Sequence, residues 1–372
     1  MKSNNNSAKP WKILSAVLAA ALAAVSCAWV ISANKPDSRA VENKEAIRPQ
    51  SVQAEGSKKR KIIIDTDCAG DDAVALIMAA KDKNTEILGV TVSEGNVSLE
   101  QAARNALMVL ETAGSDAPVY KGASTTYTGK QRKLFSVFGK DGMGDNDLIH
   151  PSRTTQSTGA VDFIIDTVKA NPDEVEIVAL GPATNLALAM DRDPETMRRV
   201  KRYWSMGTAG FGHGNASPVA EFNVYHDAEA YKVFAESEVP ITALGFDMVG
   251  DAVSFTQEDI DELAKRGGLA DFVAKSYSGL MRFNTETRGV QTASIPDGLL
   301  MACVLWDNFV LEMQPCHASV ITDDTEAYGQ VVFYKKGYGY DSGVKFDSYD
   351  FNVVTDIADE DFKGYLMELL TE

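Results

Sequence analysis

The sequence predicts an α/β fold, an open and mostly parallel sheet flanked by helices in a single domain. From Lys61 onward, short β-rich runs alternate with longer helical patterns, the order that builds a parallel sheet covered on both faces. Two of the runs, "IIID" at 62–65 and "VEIVAL" at 175–180, are apolar on consecutive residues, as strands buried on two faces should be. Polar clusters follow directly after the β-runs, the edge at which open α/β sheets hold their ligands.

In chain order, "KIIID" opens the sheet and a helix follows over 71–82, its exposed first amides favouring the acids Asp71 and Asp72. Next come "EILGVTV", a helix over 98–113, "APVYKG", a helix over 158–170, "VEIVAL" and "NLALAM". The series continues with "RYWSMG", a helix over 227–237, "VPITALGFD" and helices between 256 and 284. There is no internal repeat and no low-complexity tract. The residues placed at the ligand edge are Asp65 to Asp72, Asn96 in "SEGN", Thr184 in "GPATN", and the stretch "TAGFGHGNASPVAEFN".

The chain has 372 residues, 45% hydrophobic and 24% charged, enough for a sizeable core. Its net charge of −17 excludes a nucleic acid polymer as partner, because phosphate backbones are held by clustered Lys and Arg. A small neutral or cationic ligand, or a metal ion, fits better. Residues 1–33 read as an export segment: Lys2, Lys9 and Lys12 precede an uncharged run from Ile13 to Ser32. A cleaved secretory signal, a retained membrane anchor and a lipoprotein processed at Cys27 in "AAVSC" all stay open. Each puts the body outside the cytoplasm. Residues 34–60, polar and poor in aromatics, read as a flexible tether to a catalytic body over 61–372. Cys68, Cys303 and Cys316 form neither a disulfide framework nor a zinc pattern.

The densest chemistry lies in "DTDCAGDD", which sets Asp65, Asp67, Asp71 and Asp72 within eight positions behind an apolar strand. Helix capping accounts for one acid, not four. Neighbouring helical residues point about 100° apart, so Asp71 and Asp72 take different tasks. Oxygen ligands without His or Cys select calcium or magnesium. A haloacid-dehalogenase-like phosphatase also carries "DTD" after its first strand, but it wants Thr or Val where Ala69 stands. Cys68 is a poor nucleophile here, because four carboxylates disfavour its thiolate.

"DTDCAGDDAVAL" resembles the N-terminal signature of the nucleoside hydrolases, calcium-dependent N-ribohydrolases. "VTVSEGN", "ALGPATNLALA" and "MGTAGFGHGNASPVAEFNVYHDAEA" are similar to three further segments of that family, in the same order, and the closing "YGQVVFY" and "FKGYLMELL" resemble its last strands and helix. The resemblance implies a Rossmann-like fold and hydrolysis of the N-glycosidic bond of a ribonucleoside or related N-riboside. It assigns Asp67 as the base that activates water, and Asp67, Asp72, the Thr184 main-chain carbonyl and Asp297 as Ca2+ ligands. It gives Asp71 a ribose hydroxyl and places Asn96, Asn215, Glu221 and Asn223 around the sugar. A homo-oligomer is implied by the family, without an interface signal in this chain.

The departures fall on the leaving-group side. Where the inosine-uridine type has His-Gly-x-x-Gly-Met-Gly, this chain has "FGKDGMG" with Phe138 first, and Pro296 stands where a His precedes the metal-binding Asp. Imidazole is the side chain best suited to protonate a leaving base near neutral pH. His213, in the Gly-rich loop, is the candidate acid that remains. His150, His226 and His317 read as structural, while Arg288, Lys140 and Tyr277 are weaker candidates. Aromatic stacking by Phe138, Trp204 or Phe211 is the other route to a leaving base. A non-catalytic protein that binds nucleoside or ribose with calcium is the alternative from a different class.

Overall fold

The computed structural model describes residues 50–51, 58–130, 133–237 and 239–371. The export segment 1–33, Cys27 and most of the expected tether lie outside the described residues. Among those that are described, no helix is long and apolar enough to cross a membrane. Gln50 and Ser51, within the stretch read as tether, pair antiparallel with Asp307 and Trp306.

The first half of the body runs β1 (Arg60–Thr66), α1 (Gly70–Lys81), β2 (Thr85–Val92), α2 (Leu99–Thr112), β3 (Val119–Lys121) and α3 (Ala160–Ala170). It continues with β4 (Val175–Ala179), α4 (Thr184–Arg192), β5 (Arg202–Met206), α5 (Phe222–His226), α6 (Ala228–Ala235) and β6 (Ile241–Leu244). An excursion bounded by the small pairing of Ser254–Thr256 with Thr292–Ser294 carries α7 (Gln257–Arg266) and α8 (Gly268–Phe283). The chain closes with α9 (Pro296–Leu305), β7 (Val310–Val320), β8 (Val331–Lys335), β9 (Phe351–Ile357) and α10 (Phe362–Thr371).

Nine strands form one open sheet in the order β8-β7-β9-β6-β5-β4-β1-β2-β3. Six pairings, from β3 across to β9, are parallel, and β7 runs opposite to the other eight strands. β1 alternates its isoleucines between two cores: Ile62 and Ile64 face the layer of α1, α2, α8 and α9, and Ile63 faces that of α3, α4 and α6. Two-sided burial explains why the strand is apolar without alternation. The chain reverses its direction of growth between β1 and β4, so a crevice opens there beyond their carboxyl ends.

α1 and α9 are buried on every side and pack on one another. Because α9 is apolar all round, it has no 3.6-residue stripe to mark it in the sequence. β8 lies in the closing segment "YGQVVFY", while β7 and β9 fall outside the two quoted closing segments.

Candidate active site

The loop from β1 to α1 is built around Asp67, Asp71 and Asp72. Cys68 takes a left-handed φ of 30°, an uncommon conformation for a residue with a side chain, and turns the chain sharply into α1. Asp72 closes this turn, accepting a bond from the Thr66 hydroxyl and another, at 2.8 Å, from the Ala69 amide. Asn105 of α2 clamps the loop from outside, donating to the Cys68 and Asp141 carbonyls at 2.8 Å each. Asp65 braces it from behind: one oxygen accepts from Thr91 at 2.5 Å and Asn185 at 2.8 Å, joining β1 to β2 and α4.

Asp67 sits in a slot between two glycines. A Cβ on Gly95 would lie 2.2 Å from its Oδ2, and one on Gly181 would lie 2.8 Å from its Oδ1. The Asn96 amide donates to Oδ2. Gly181 follows β4 and Gly95 follows β2, so strands on both sides of β1 hold this carboxylate in place.

Asp71 and Asp72 occupy the first turn of α1, and Asp297 the first turn of α9. One carboxylate oxygen from each lies within 4.8 Å of the others, and all three residues are buried. Two helix N-termini thus aim their unpaired amides and positive dipole ends at one cluster of acids. Those dipoles do not offset the burial. Desolvation first, and then repulsion from neighbouring acids, pushes Asp67, Asp71 and Asp297 well above the usual carboxylate range. Burial lifts Asp72 to about 6, against the hydrogen bonds from Thr66 and Ala69. Asp71 Oδ1 is buried without a partner. Three convergent buried carboxylates that repel one another fit a hard divalent cation.

Above the cluster lies a chamber lined by Asp71, Asn96, Asn215, Glu221 and Asn223, which the sequence brought to one edge, by Asp297, which the resemblance assigned, and by Phe138. Glu221 caps α5, accepting from the Asn223 amide at 2.9 Å and the Val224 amide at 3.3 Å, while burial raises it to about 7. Asn223 commits its amide nitrogen to the carbonyls of Leu180, at 2.6 Å, and Met206, at 3.0 Å. That bond pair ties the ends of β4 and β5, and it leaves Oδ1 for a ligand.

Other expected residues fall elsewhere. The Thr184 hydroxyl donates to Asp227 at 2.7 Å, which occupies its side chain and leaves only its main chain for an ion. His213 is exposed, bonded at 3.0 Å to the Gly214 carbonyl, and is not part of the chamber wall. Two stacking candidates are corrected. Trp204 lies at the amino end of the sheet, donating to Glu176 at 2.9 Å, and Phe211 is an exposed ring under the Lys335 ammonium. The rings that do line the chamber, besides Phe138, are Phe135, Phe222, Phe246 and Phe283, with Arg288 at the same wall. Phe222 lay inside a quoted motif, "AEFN"; the others carry no spacing signal. A larger cavity, about 800 Å³, lies at the amino ends of the strands among Lys58, Arg60, Lys201 and Trp204, and it contains none of the clustered carboxylates. Chemistry, not volume, identifies the site.

Fold and site together define a doubly wound α/β protein with a buried acidic cluster at the switch point of its sheet. A sequence profile of inosine-uridine preferring nucleoside hydrolases matches residues 62–364. The chain belongs to that family, and is a hydrolase of N-ribosides. Uridine nucleosidase 1 of Arabidopsis thaliana is 41% identical over 251 residues, 67% of this chain and 74% of the relative. A pyrimidine-specific ribonucleoside hydrolase of Escherichia coli O9:H4 (strain HS) is 30% identical over 300 residues, 77% of this chain and 94% of the relative. Among solved structures, a plant nucleoside hydrolase superposes with a TM-score of 0.78 at 28% identity, covering 84% of this chain and 99% of its own. A purine-preferring ribonucleoside hydrolase from Gardnerella vaginalis gives 0.76 at 25%, covering 84% and 98%.

Proposed function

We propose that this chain hydrolyses the N-glycosidic bond of a ribonucleoside with Asp67 as the base that activates water and Ca2+ as its cofactor. The observation that carries this reading is the convergence of the Asp71, Asp72 and Asp297 carboxylates, two of which, Asp71 and Asp297, also line an aromatic-walled chamber.

The bond from the sugar's C1′ to the base nitrogen breaks through an oxocarbenium-like state, so positive charge develops on the ribose. Buried carboxylates fixed before the reaction favour that charge without reorganising. Asp67 takes a proton from water, the water oxygen bonds to C1′, and the base leaves with the C–N electron pair and gains a proton from solvent. Burial supports Asp67 in this role, because it raises the carboxylate's affinity for that proton. Asp67, Asp72, Asp297 and the Thr184 carbonyl would hold the cation, with Asp71 beside them for a ribose hydroxyl. When bound, Ca2+ supplies the charge that offsets these acids and gathers the sugar's hydroxyls. Asn96, Asn215, Glu221 and Asn223 face the sugar.

Among the described residues the chamber wall carries aromatic rings, Phe138 and Phe283 among them, and no imidazole, which favours stacking of the departing base. The curated relatives are named for uridine and pyrimidine substrates, and one solved neighbour for purines, so both base classes belong in the test. Incubating the protein with Ca2+ and a panel of ribonucleosides is expected to release free base. Asp67→Ala is expected to abolish that release. Calcium-dependent ribose binding with no turnover on any nucleoside would replace this reading with a binding function.

A further inference from the structure

Tyr277 of α8 is fully buried, and its hydroxyl has no hydrogen-bond partner. Its ring is wedged edge-on between Phe138, at 5.8 Å, and Phe255, at 5.0 Å, so the phenol has little freedom to turn elsewhere. Buried tyrosines ordinarily place this hydroxyl on an acceptor, because a buried donor left unpaired loses its bond to water without replacing it. The acceptor it lacks is nearby. Asp71 Oδ1 is also buried without a partner, and among the charged groups that push the phenol up Asp71 comes first, ahead of Asp297 and Asp72. α8 also touches the start of α1 directly: a Cβ on Gly70 would lie 3.1 Å from the Ser276 carbonyl.

One orphan is a donor and the other an acceptor, both buried and outside direct hydrogen-bond reach of each other, which is the situation a single ordered water resolves. Asp71 lines the chamber and Tyr277 does not, so the guest between them belongs to the protein and not to the substrate. We infer that Tyr277 is a positioning residue: it holds Asp71 through one buried water, and so fixes the carboxylate that meets a ribose hydroxyl. Burial and the neighbouring acids keep the phenol protonated far above its usual range, so it remains a donor wherever the protein is folded. The part of this inference that concerns the sugar rests on the ribonucleoside reading; the water does not.

A crystal structure of the substrate-free protein is expected to show a water bonded to both Tyr277 Oη and Asp71 Oδ1; a dry gap, or a direct bond from Tyr277 to another group, overturns the inference. Tyr277→Phe removes one oxygen and keeps the ring, and its circular dichroism is expected to match wild type. In that variant, KM for a ribonucleoside rises roughly tenfold with kcat changed far less, and the discrimination against one deoxynucleoside, the one lacking the hydroxyl read by Asp71, shrinks by a similar factor. Placed on Asp71→Asn, the same substitution costs nothing further. Equal losses on both backgrounds, or unchanged discrimination, would mark Tyr277 as a core residue. If wild type turns over no nucleoside, the functional reading fails and the crystallographic water still decides this one.

Discussion

Gly95 is the residue on which the geometry of Asp67 most visibly depends. A methyl group there would overlap the carboxylate, with Cβ 2.2 Å from Oδ2 and 2.7 Å from both Cβ and Cγ of Asp67. The carboxylate, packed against Gly181 on its other side, has no space in which to retreat. Gly95→Ala is therefore expected to lower kcat at least about 100-fold, the scale of a misplacement near 1 Å, while the protein stays folded. Steady-state kinetics beside a melting curve check it, and an Ala variant with wild-type kcat would show that Asp67 is not held by this slot. At the same scale, the acids of the first loop were legible because four like charges behind a buried strand have no bland explanation. The aromatic wall was not. Trp204 and Phe211 looked as eligible as Phe283, since a ring carries no mark of which end of a strand or which face of a loop it occupies.

Elements locate the chemistry through their ends. α1 and α9 have little amphipathic character, yet their N-termini meet at the acidic cluster. That meeting is why Asp297 joins acids more than 200 positions earlier in the chain. Sequence placed Asp297 only through family likeness, since no local pattern reveals where a fully buried helix points. The opposite ends of β1 and β4 are joined by a different device. Glu176 accepts two bonds from Arg60, at 3.2 and 2.7 Å, and one from Trp204, with Lys201 at 3.6 Å. Burial pushes this carboxyl up, but Arg60, Trp204 and Lys201 outweigh it and hold it below its usual value of 4.5. A depressed carboxylate contributes stability that is present above the unfolded value and is lost as pH falls through the folded one. Glu176→Gln, which leaves Arg60 buried without its counter-charge, is expected to cost about 3 kcal/mol at pH 7. The deficit shrinks at pH values below 4.5, and urea denaturation at pH 7 and pH 4 compares the two; a deficit equal at both would rule out a charge-based role.

For the whole molecule, the strand order makes one carboxyl edge of the sheet hold everything the chemistry needs. The alternation of β-runs and helices was legible from the first strand through β6, because each parallel strand is a short β-rich run followed by a polar turn and a longer helical pattern. The closing strands, joined through the antiparallel β7, lack that rhythm, and of their residues the sequence reading quoted only "YGQVVFY", as a resemblance. That arrangement leaves the folded, cation-free protein with buried acids that repel one another and the unfolded chain with none, so a cation that binds only the folded state must stabilise it. At a concentration 100 times its Kd the gain is about 2.7 kcal/mol, and at roughly 2 °C per kcal/mol for a domain of this size Tm should rise by about 5 °C. The pH dependence has a definite sign. Asp72 is raised in the folded protein, to about 6 from 3.8, so lowering the pH lets the empty site take up a proton that relieves it, and the same proton competes with the cation. The Ca2+-induced rise in Tm should therefore grow between pH 5 and pH 8, disappear on chelation, and be absent in Asp297→Asn. Differential scanning calorimetry with and without Ca2+ measures all three, and a rise that survives Asp297→Asn would place the cation somewhere other than this cluster.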